Sequence, residues 1–212
     1  MIKEKKPLEK KSLFITATNT DVGKTYASEK FLRYYASKGF KVGYFKPIET
    51  GVVTHPLDGK KMLTLVKELN PCFTVSLEDV VPYQFKLAAA PYVAKKDKII
   101  SLSYLKEKRD YLFKFCDFLI IEGAGGLMVP IEKDFYIIDL IKAFNIKTAL
   151  IASSKLGGIN DTLLSCMALK NYGISYECYI NVYQDKDSFM EVSYPFYKEC
   201  KTDIKFLSTI QA

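Results

Sequence analysis

Residues 12–25 read SLFITATNTDVGKT, and they carry the strongest indication of the fold. Its first half is short, apolar and β-branched, which is typical of a buried strand. Its second half ends in Gly23-Lys24-Thr25 and leads into a helix-forming segment that extends to about Lys38. Backbone amides in a loop between a strand and a helix can surround a phosphate group, so the stretch predicts a phosphate-binding loop. The strict form of that loop has glycine where Thr18 stands, and the match is therefore incomplete.

Short apolar strands alternate with helices along the rest of the chain. Strands are predicted at residues 12–17, 41–46, 118–121, 148–152 and 176–181, with a further one at 204–207. Helices are predicted at 24–38, 58–69, 102–115 and 137–144, from about 160 to 173, and at 187–200 with an interruption at Pro195. This alternation predicts a single doubly wound α/β domain over residues 12–212, with a mostly parallel sheet flanked by helices, after a lysine-rich lead-in at 1–11.

Several helix ends carry their own signals. Gly39 is predicted to stop the first helix. Asp58 and Ser101 are predicted to cap the second and third helices, and Asn160 or Asp161 the helix that ends near residue 173. Residues 72–89 carry no clear period and are predicted to be irregular.

The composition excludes several classes of function. The chain has one histidine, His55, so a metal site built from several histidines is impossible. Its five cysteines form no C-x-x-C pair, which argues against a disulfide framework, and no stretch reaches the roughly 20 apolar residues of a membrane span. We therefore expect a cytoplasmic protein. The net charge of +7 favours anionic partners, but only two of the 31 basic residues are arginine, which weakens a nucleic-acid-binding interpretation.

Two further motifs follow predicted strands. Lys46-Pro47-Ile48-Glu49-Thr50-Gly51 comes after the second strand, and Glu122-Gly123-Ala124-Gly125-Gly126 comes directly after the most apolar one. Ligands bind beyond the carboxyl ends of strands in this kind of sheet, so both motifs are expected beside the phosphate loop. A lysine there can neutralise phosphoryl charge, and a carboxylate can hold magnesium.

Together with Lys155-Leu156-Gly157-Gly158-Ile159-Asn160, these motifs resemble the dethiobiotin synthetases, ATP-dependent enzymes of biotin synthesis, in order and spacing from about residue 12 to residue 181. In that family the phosphate loop is longer by one residue and has a small residue where Ala17 stands. The resemblance implies a homodimer that closes the ureido ring of dethiobiotin on 7,8-diaminononanoate, a small-molecule substrate, using carbon dioxide and ATP. It implies no nucleic-acid or membrane partner.

The resemblance also implies a role for each motif. Lys24 and Lys46 would be the catalytic residues that flank the reacting carbamate and γ-phosphate. The residues expected to bind ATP are Asp21, Val22, Gly23, Lys24, Thr25, Tyr26, Asp58, Glu122, Gly123, Ala124, Gly125 and Asn181. The expected Mg²⁺ ligands are Thr25, Asp58 and Glu122. The expected substrate contacts are Thr20, Thr50, Leu156, Gly157 and Asn160, where the loop from Leu156 to Asn160 holds the substrate carboxylate across the dimer interface.

Three alternatives share some of these features. A regulatory ATPase of the chromosome-partitioning type has the same fold but carries a lysine where this chain has Asn19. A GTPase needs Asn-Lys-x-Asp after a strand, whereas this chain has Asn181-Val182-Tyr183-Gln184. A nucleic-acid-binding module would use the basic charge and the fifteen tyrosines, but no motif joins them. Because the chain ends at Ala212, soon after the last strand, we also expect loose discrimination among nucleotide bases.

Overall fold

A computed structural model of the chain describes residues 11–183 and 186–212. The strands are β1 Lys11–Ala17, β2 Val42–Phe45, β3 Ile48–Thr50, β4 Tyr83–Phe85, β5 Phe118–Gly126, β6 Pro130–Glu132, β7 Phe135–Tyr136, β8 Thr148–Ser153, β9 Tyr176–Asn181 and β10 Ile204–Phe206. The α-helices are α1 Lys24–Ser37, α2 Leu57–Leu69, α3 Leu77–Val80, α4 Pro91–Ala94, α5 Leu102–Leu112, α6 Ile137–Phe144, α7 Gly158–Asn171, α8 Lys186–Ser188 and α9 Tyr194–Glu199. A π-helical turn, Phe189–Ser193, joins α8 to α9, and a 3-10 turn, Leu207–Thr209, follows β10. Residues 1–10 of the predicted lead-in lie outside the described residues, while Lys11 begins β1.

The main sheet contains six strands in the order β10-β9-β8-β1-β5-β2, and every neighbouring pair is parallel. This confirms the predicted doubly wound α/β fold. The register pairs Phe14 of β1 with Ile121 of β5 on one side and with Thr148 of β8 on the other. Because β1 and β5 are neighbours and run in the same direction, the loops that follow them open onto the same edge of the sheet.

The core explains why these segments are strands. Residues 118–121 of β5 are all buried, as are residues 13–17 of β1. Helices cover both faces of a parallel sheet of this kind, so its central strands are apolar throughout instead of alternating. Helix α2 contributes Met62, Leu65 and Val66 to the same core from one face of its helical period.

Two predicted helix caps are wrong. Helix α2 has Pro56 at its N-cap, and Asp58 lies inside the first turn. The carboxylate of Asp58 does not cap the helix because it forms an ion pair with a lysine of the site described below. Helix α7 begins at Gly158 after Gly157, whose φ of +86° turns the chain, so Asn160 and Asp161 also lie inside the helix.

Other predicted helix ends are confirmed. Ser101 caps α5 by accepting a hydrogen bond from the Tyr104 amide, and Gly39 has a φ of +84° just after α1. Pro195 lies in the first turn of α9, where its missing N–H costs no hydrogen bond, and this explains the interruption predicted in the last helical segment.

The prediction that residues 72–89 are irregular is wrong in part, because they contain α3 and β4. Both elements are too short to show a period. Ser76 and Asp79 form a capping box on α3, and β4 pairs in parallel with β3. Within residues 11–183 and 186–212 no helix is long and apolar enough to cross a membrane.

Candidate active site

The loop between β1 and α1 has the backbone shape of a phosphate-binding loop. Gly23 is the N-cap residue of α1 and has a φ of +103°, a value that an L-residue rarely adopts. A Cβ at this position would also collide with the side-chain amide of Asn181. No described side chain caps α1, so the first amides of the helix are available to an anion. Ala17 is the last residue of β1 and has no positive φ, so a residue larger than glycine is tolerated there.

Asn181 lies beneath this loop. It is buried at the end of β9, and its Nδ2 donates a hydrogen bond to the Val22 carbonyl, 2.9 Å away. The side chain therefore holds the loop in place from the protein side. Its predicted role in binding ATP stays a prediction.

Lys24 lies at the start of α1 and is buried. Its Nζ donates to the Asn19 carbonyl at 3.2 Å, within the loop. Burial lowers the pKa of Lys24, and the nearby carboxylate of Glu122 acts in the opposite direction. The Lys24 side chain is thus held within the loop, where it is available to an anionic ligand.

Glu122 is the centre of the site. It lies in β5, is fully buried, and accepts four hydrogen bonds. Its Oε1 accepts from the Thr25 hydroxyl at 3.0 Å and from Lys46 Nζ at 2.8 Å. Its Oε2 accepts from the hydroxyls of Ser28 at 2.6 Å and Tyr44 at 2.9 Å. Such a set of donors offsets the cost of burying a carboxylate, which is otherwise large.

Lys46 follows β2 and lies between two carboxylates. Its Nζ is 2.6 Å from Asp58 Oδ2 and 2.8 Å from Glu122 Oε1. Burial disfavours the charged amine, but the two carboxylates outweigh burial and raise the pKa of Lys46 above its ordinary value. Lys46 in turn keeps the pKa of Asp58 low against the opposing effect of burial. Lys46 therefore keeps its positive charge at neutral pH.

Three residues that contact this cluster were not among the predicted site residues. Ser28 lies one turn after Thr25 on α1, so helical spacing could have found it. Tyr44 lies two residues before Lys46, on the same face of the β2 segment, so strand spacing could have found it. Glu49 belongs to a motif that was singled out, but nothing in its spacing indicated that it is buried and that burial raises its pKa.

Most of the predicted site residues line one cavity of about 360 Å³. They are Thr20, Asp21, Gly23, Lys24, Thr25, Lys46, Thr50, Asp58, Glu122, Gly123, Ala124 and Gly125, and Ile48 and Glu49 line it as well. A second cavity of about 470 Å³ adjoins it and shares Thr20, Thr50, Ala124 and Gly125. The other predicted residues do not line the first cavity. Val22 is buried in the loop, Asn181 lies beneath the loop, and Tyr26 is exposed on α1. Leu156 and Gly157 lie just before α7, and Asn160 lies in its first turn.

The side chains fit a magnesium ion that is completed by phosphate. The hydroxyl of Thr25 is hydrogen bonded to Glu122 and also interacts with Asp58. A hydroxyl and two carboxylates are the oxygen donors that Mg²⁺ takes when a substrate phosphate supplies further ligands. Among the residues that the structure describes, no group of three or more histidine, cysteine or acidic side chains is placed to hold a metal by itself.

The fold and this site define a phosphate-loop nucleoside triphosphatase. Solved structures with the same fold include the MinD cell division protein of Aquifex aeolicus, with a TM-score of 0.55 and 15% identity over 92% of this chain and 80% of that one. A putative plasmid partition protein of Borrelia burgdorferi bound to AMPPNP has a TM-score of 0.57 and 14% identity over 92% and 85%. At these identities the likeness shows the fold alone.

Sequence relatives identify the family. A family profile described as an AAA domain matches residues 11–187. The ATP-dependent dethiobiotin synthetase BioD of Sulfurovum sp. is 47% identical over 88% of this chain and 89% of its own length. The protein of the same name from Wolinella succinogenes is 40% identical over 89% of this chain and 89% of its own length. The one from Helicobacter pylori is 35% identical over 87% of this chain and 87% of its own length. This chain belongs to the ATP-dependent dethiobiotin synthetase BioD family, as its motifs predicted.

Proposed function

We propose that the chain closes the ureido ring of dethiobiotin on 7,8-diaminononanoate, using carbon dioxide and ATP. Family membership supports this proposal. The main structural support is the position of Lys46. Its ammonium is held by ion pairs with Asp58 and Glu122, and it lines the same cavity as Lys24. A clamped cation next to a phosphate loop is suited to stabilise an anion as it attacks a phosphoryl group.

ATP would bind with its phosphates along residues 21–25 and beside Glu122–Gly125. The amides at the start of α1 would contact the phosphate oxygens, and Lys24 would exchange its bond to the Asn19 carbonyl for the β- and γ-phosphates. Magnesium would be held by Thr25, Asp58 and Glu122 and, when bound, would neutralise phosphate charge. Together these groups would order the nucleotide before the reaction begins.

The diamine would occupy the second cavity. Ala88, Ala89, Ala90 and Val129 make its wall apolar, which suits an alkyl chain, and Thr20 and Thr50 lie where it meets the phosphate cavity. Both amines would therefore lie near Lys46 and the γ-phosphate.

In the proposed reaction, one amine adds carbon dioxide and releases a proton to form a carbamate. A carbamate oxygen attacks the γ-phosphorus, and the bond to ADP breaks. The second amine then attacks the carbonyl carbon of the mixed anhydride and closes the ring, with release of phosphate and a proton. Lys46 and Lys24 would stay protonated and hold the spreading negative charge, because positioning and cationic stabilisation account for most of the catalysis in phosphoryl transfer.

We also propose a homodimer. Leu156, Leu164 and Met167 are exposed on α7 and the loop before it, and Met128 is exposed after β5. Apolar side chains grouped in this way are typical of a protein interface. A partner that covers them would bring its own residues 156–160 to the substrate, which accounts for their position outside the cavity. Light scattering should give the mass of a dimer for the native protein and of a monomer for Leu164→Glu/Met167→Glu. The five cysteines, none of them in a C-x-x-C pair, support a place in the reducing cytoplasm.

Phosphate release from Mg-ATP tests the proposed reaction. The purified protein is assayed with 7,8-diaminononanoate and bicarbonate each added and omitted. We expect release only when both are present, together with a product whose mass is that of dethiobiotin. Release that needs neither would contradict the proposal and would favour a regulatory ATPase of the chromosome-partitioning type. The structures of that fold motivate this second candidate, but Asn19 in place of its signature lysine weighs against it.

A further inference from the structure

Helix α2 is capped from outside its own segment. Its N-cap residue is Pro56, which has no side-chain group able to accept a hydrogen bond from the first turn. Glu49 of β3 does so instead: its Oε1 accepts from the Asp58 amide at 3.2 Å and its Oε2 from the Gly59 amide at 3.0 Å. Helix α5, of similar length, has an ordinary local cap from Ser101.

This cap ties α2 to the catalytic lysine. Glu49 lies three residues after Lys46. Its Oε1 accepts a hydrogen bond from the backbone amide of Asp58, and the side-chain carboxylate of Asp58 contacts Lys46. The packing is tight, because a Cβ on Gly59 would collide with Val81 and would lie 3.4 Å from Glu49 Oε2. A small shift of this helix end would therefore move the Asp58 carboxylate away from Lys46.

We propose that Glu49 is a positioning residue, whose buried carboxylate holds the start of α2 so that Asp58 faces Lys46 and the magnesium-nucleotide. Glu49 lines the first cavity, but both of its oxygens are bonded to backbone amides, so it acts through Asp58. The part that concerns magnesium-nucleotide rests on the proposed function; the capping of α2 does not.

The first measurement is hydrogen exchange at the Asp58 and Gly59 amides. Glu49→Gln keeps the size of the side chain but replaces one acceptor oxygen by an NH₂ group facing a backbone N–H. We expect exchange at these two amides to accelerate by about fivefold, which corresponds to the loss of one helix cap. Ser101→Ala, the matched control, removes the cap of α5 and should leave both amides unchanged.

The second measurement is nucleotide affinity by calorimetry. For Glu49→Gln we expect magnesium-ADP to bind about fivefold more weakly, by the same cap energy, while ADP in EDTA binds within about twofold of wild type. Ser101→Ala should change neither affinity.

A rescue variant separates positioning from charge. In Glu49→Gln/Pro56→Ser the new serine can cap α2 locally, because residue 56 already has the extended backbone of an N-cap. We expect slow amide exchange and magnesium-ADP affinity to return together. Failure of the serine to restore them, unchanged exchange in Glu49→Gln, or an equal loss of affinity with and without magnesium would each overturn the proposal. If the wild-type protein does not bind magnesium-ADP while exchange shifts and is rescued, the capping role stands and the proposed function fails.

Discussion

Two clusters of lysine and carboxylate in this protein have nearly the same distances and very different surroundings. At the carboxyl end of the sheet, Lys46 lies 2.8 Å from Glu122 and 2.6 Å from Asp58. On the surface, Glu177 of β9 lies 2.9 Å from Lys147 and 3.0 Å from Lys205. The side chains of Lys46 and Glu122 are 6% and 0% exposed, whereas those of Lys147 and Glu177 are 51% and 30% exposed.

The comparison shows that burial, and not distance, decides what such a cluster does. Water screens the surface pairs and competes for their partners, so each contributes little to stability. In the buried cluster the Asp58 side chain is 44% exposed, but Lys46 and Glu122 are shielded from water, so removing the partner of either leaves an uncompensated charge or donor. The same property makes it useful for catalysis, because its dipoles and charges are already in place when negative charge develops.

The largest expected effect is on stability at the buried cluster. Glu122→Gln should lower the free energy of unfolding by about 3 kcal/mol. Each carboxylate oxygen of Glu122 accepts two hydrogen bonds, and the amide nitrogen that replaces one of these oxygens cannot accept any. Urea unfolding followed by circular dichroism measures the change. The matched variant Glu177→Gln should lose about 1 kcal/mol or less. Equal losses in the two variants would show that burial does not separate the clusters.

The next effect is on catalysis. Lys46→Ala should reduce turnover by at least about two orders of magnitude, as the loss of one preorganised charge donor commonly does. Glu122 keeps its three hydroxyl donors in this variant, so we expect the protein to remain folded at assay temperature. The assay is phosphate release with diamine and bicarbonate, with circular dichroism as the folding control. Lys147→Ala should retain wild-type turnover, and a near wild-type rate for Lys46→Ala would refute its assignment.

The contribution of the surface cluster to the free energy of unfolding should depend on pH. Partial burial opposes ionisation of Glu177, but hydrogen bonds from Tyr179, Lys147 and Lys205 outweigh it and lower the pKa of Glu177 below its ordinary value. The stabilisation that Glu177 provides is therefore complete above the unfolded pKa of about 4.3 and is lost as the pH falls through the lower folded pKa. Wild type and Glu177→Gln should differ most near neutral pH and converge in acid, as measured by urea unfolding at each pH. If the free energies of unfolding of the two proteins differed more in acid than at neutral pH, the pKa of Glu177 would not be lowered in the folded state.

The smallest effect is that of a single surface lysine. Lys147→Met should change the free energy of unfolding by no more than about 0.5 kcal/mol, since Lys205 still pairs with Glu177 and both lysines are half exposed. The residual effect should shrink further in 1 M salt, where charges are screened over about 3 Å. A loss above 2 kcal/mol that persists in salt would mean that Glu177 behaves like a buried carboxylate.

Local patterns predicted much of this molecule. Apolar runs located the strands of the main sheet, and glycine after α1 and serine before α5 marked helix ends correctly. The wrong predictions have two causes, which are tertiary contacts and the shortness of some elements. Asp58 is a good capping residue by type, yet Lys46 engages its carboxylate and Glu49 supplies the cap from another element. The short elements α3 and β4 were missed because three or four residues cannot show a period.

The order of strands and helices, the phosphate loop and the family could all be read from the amino-acid sequence, because they depend on neighbouring residues and on motifs at fixed spacing. The motifs also predicted which residue types collect at one edge of the sheet. The burial of Glu122 could not be read in this way. Its donors are Thr25, Ser28, Tyr44 and Lys46, which lie 76 to 97 positions away along the chain and meet it only in the folded protein. Burial and hydrogen bonding across such separations depend on how the elements pack, and no local period records that packing.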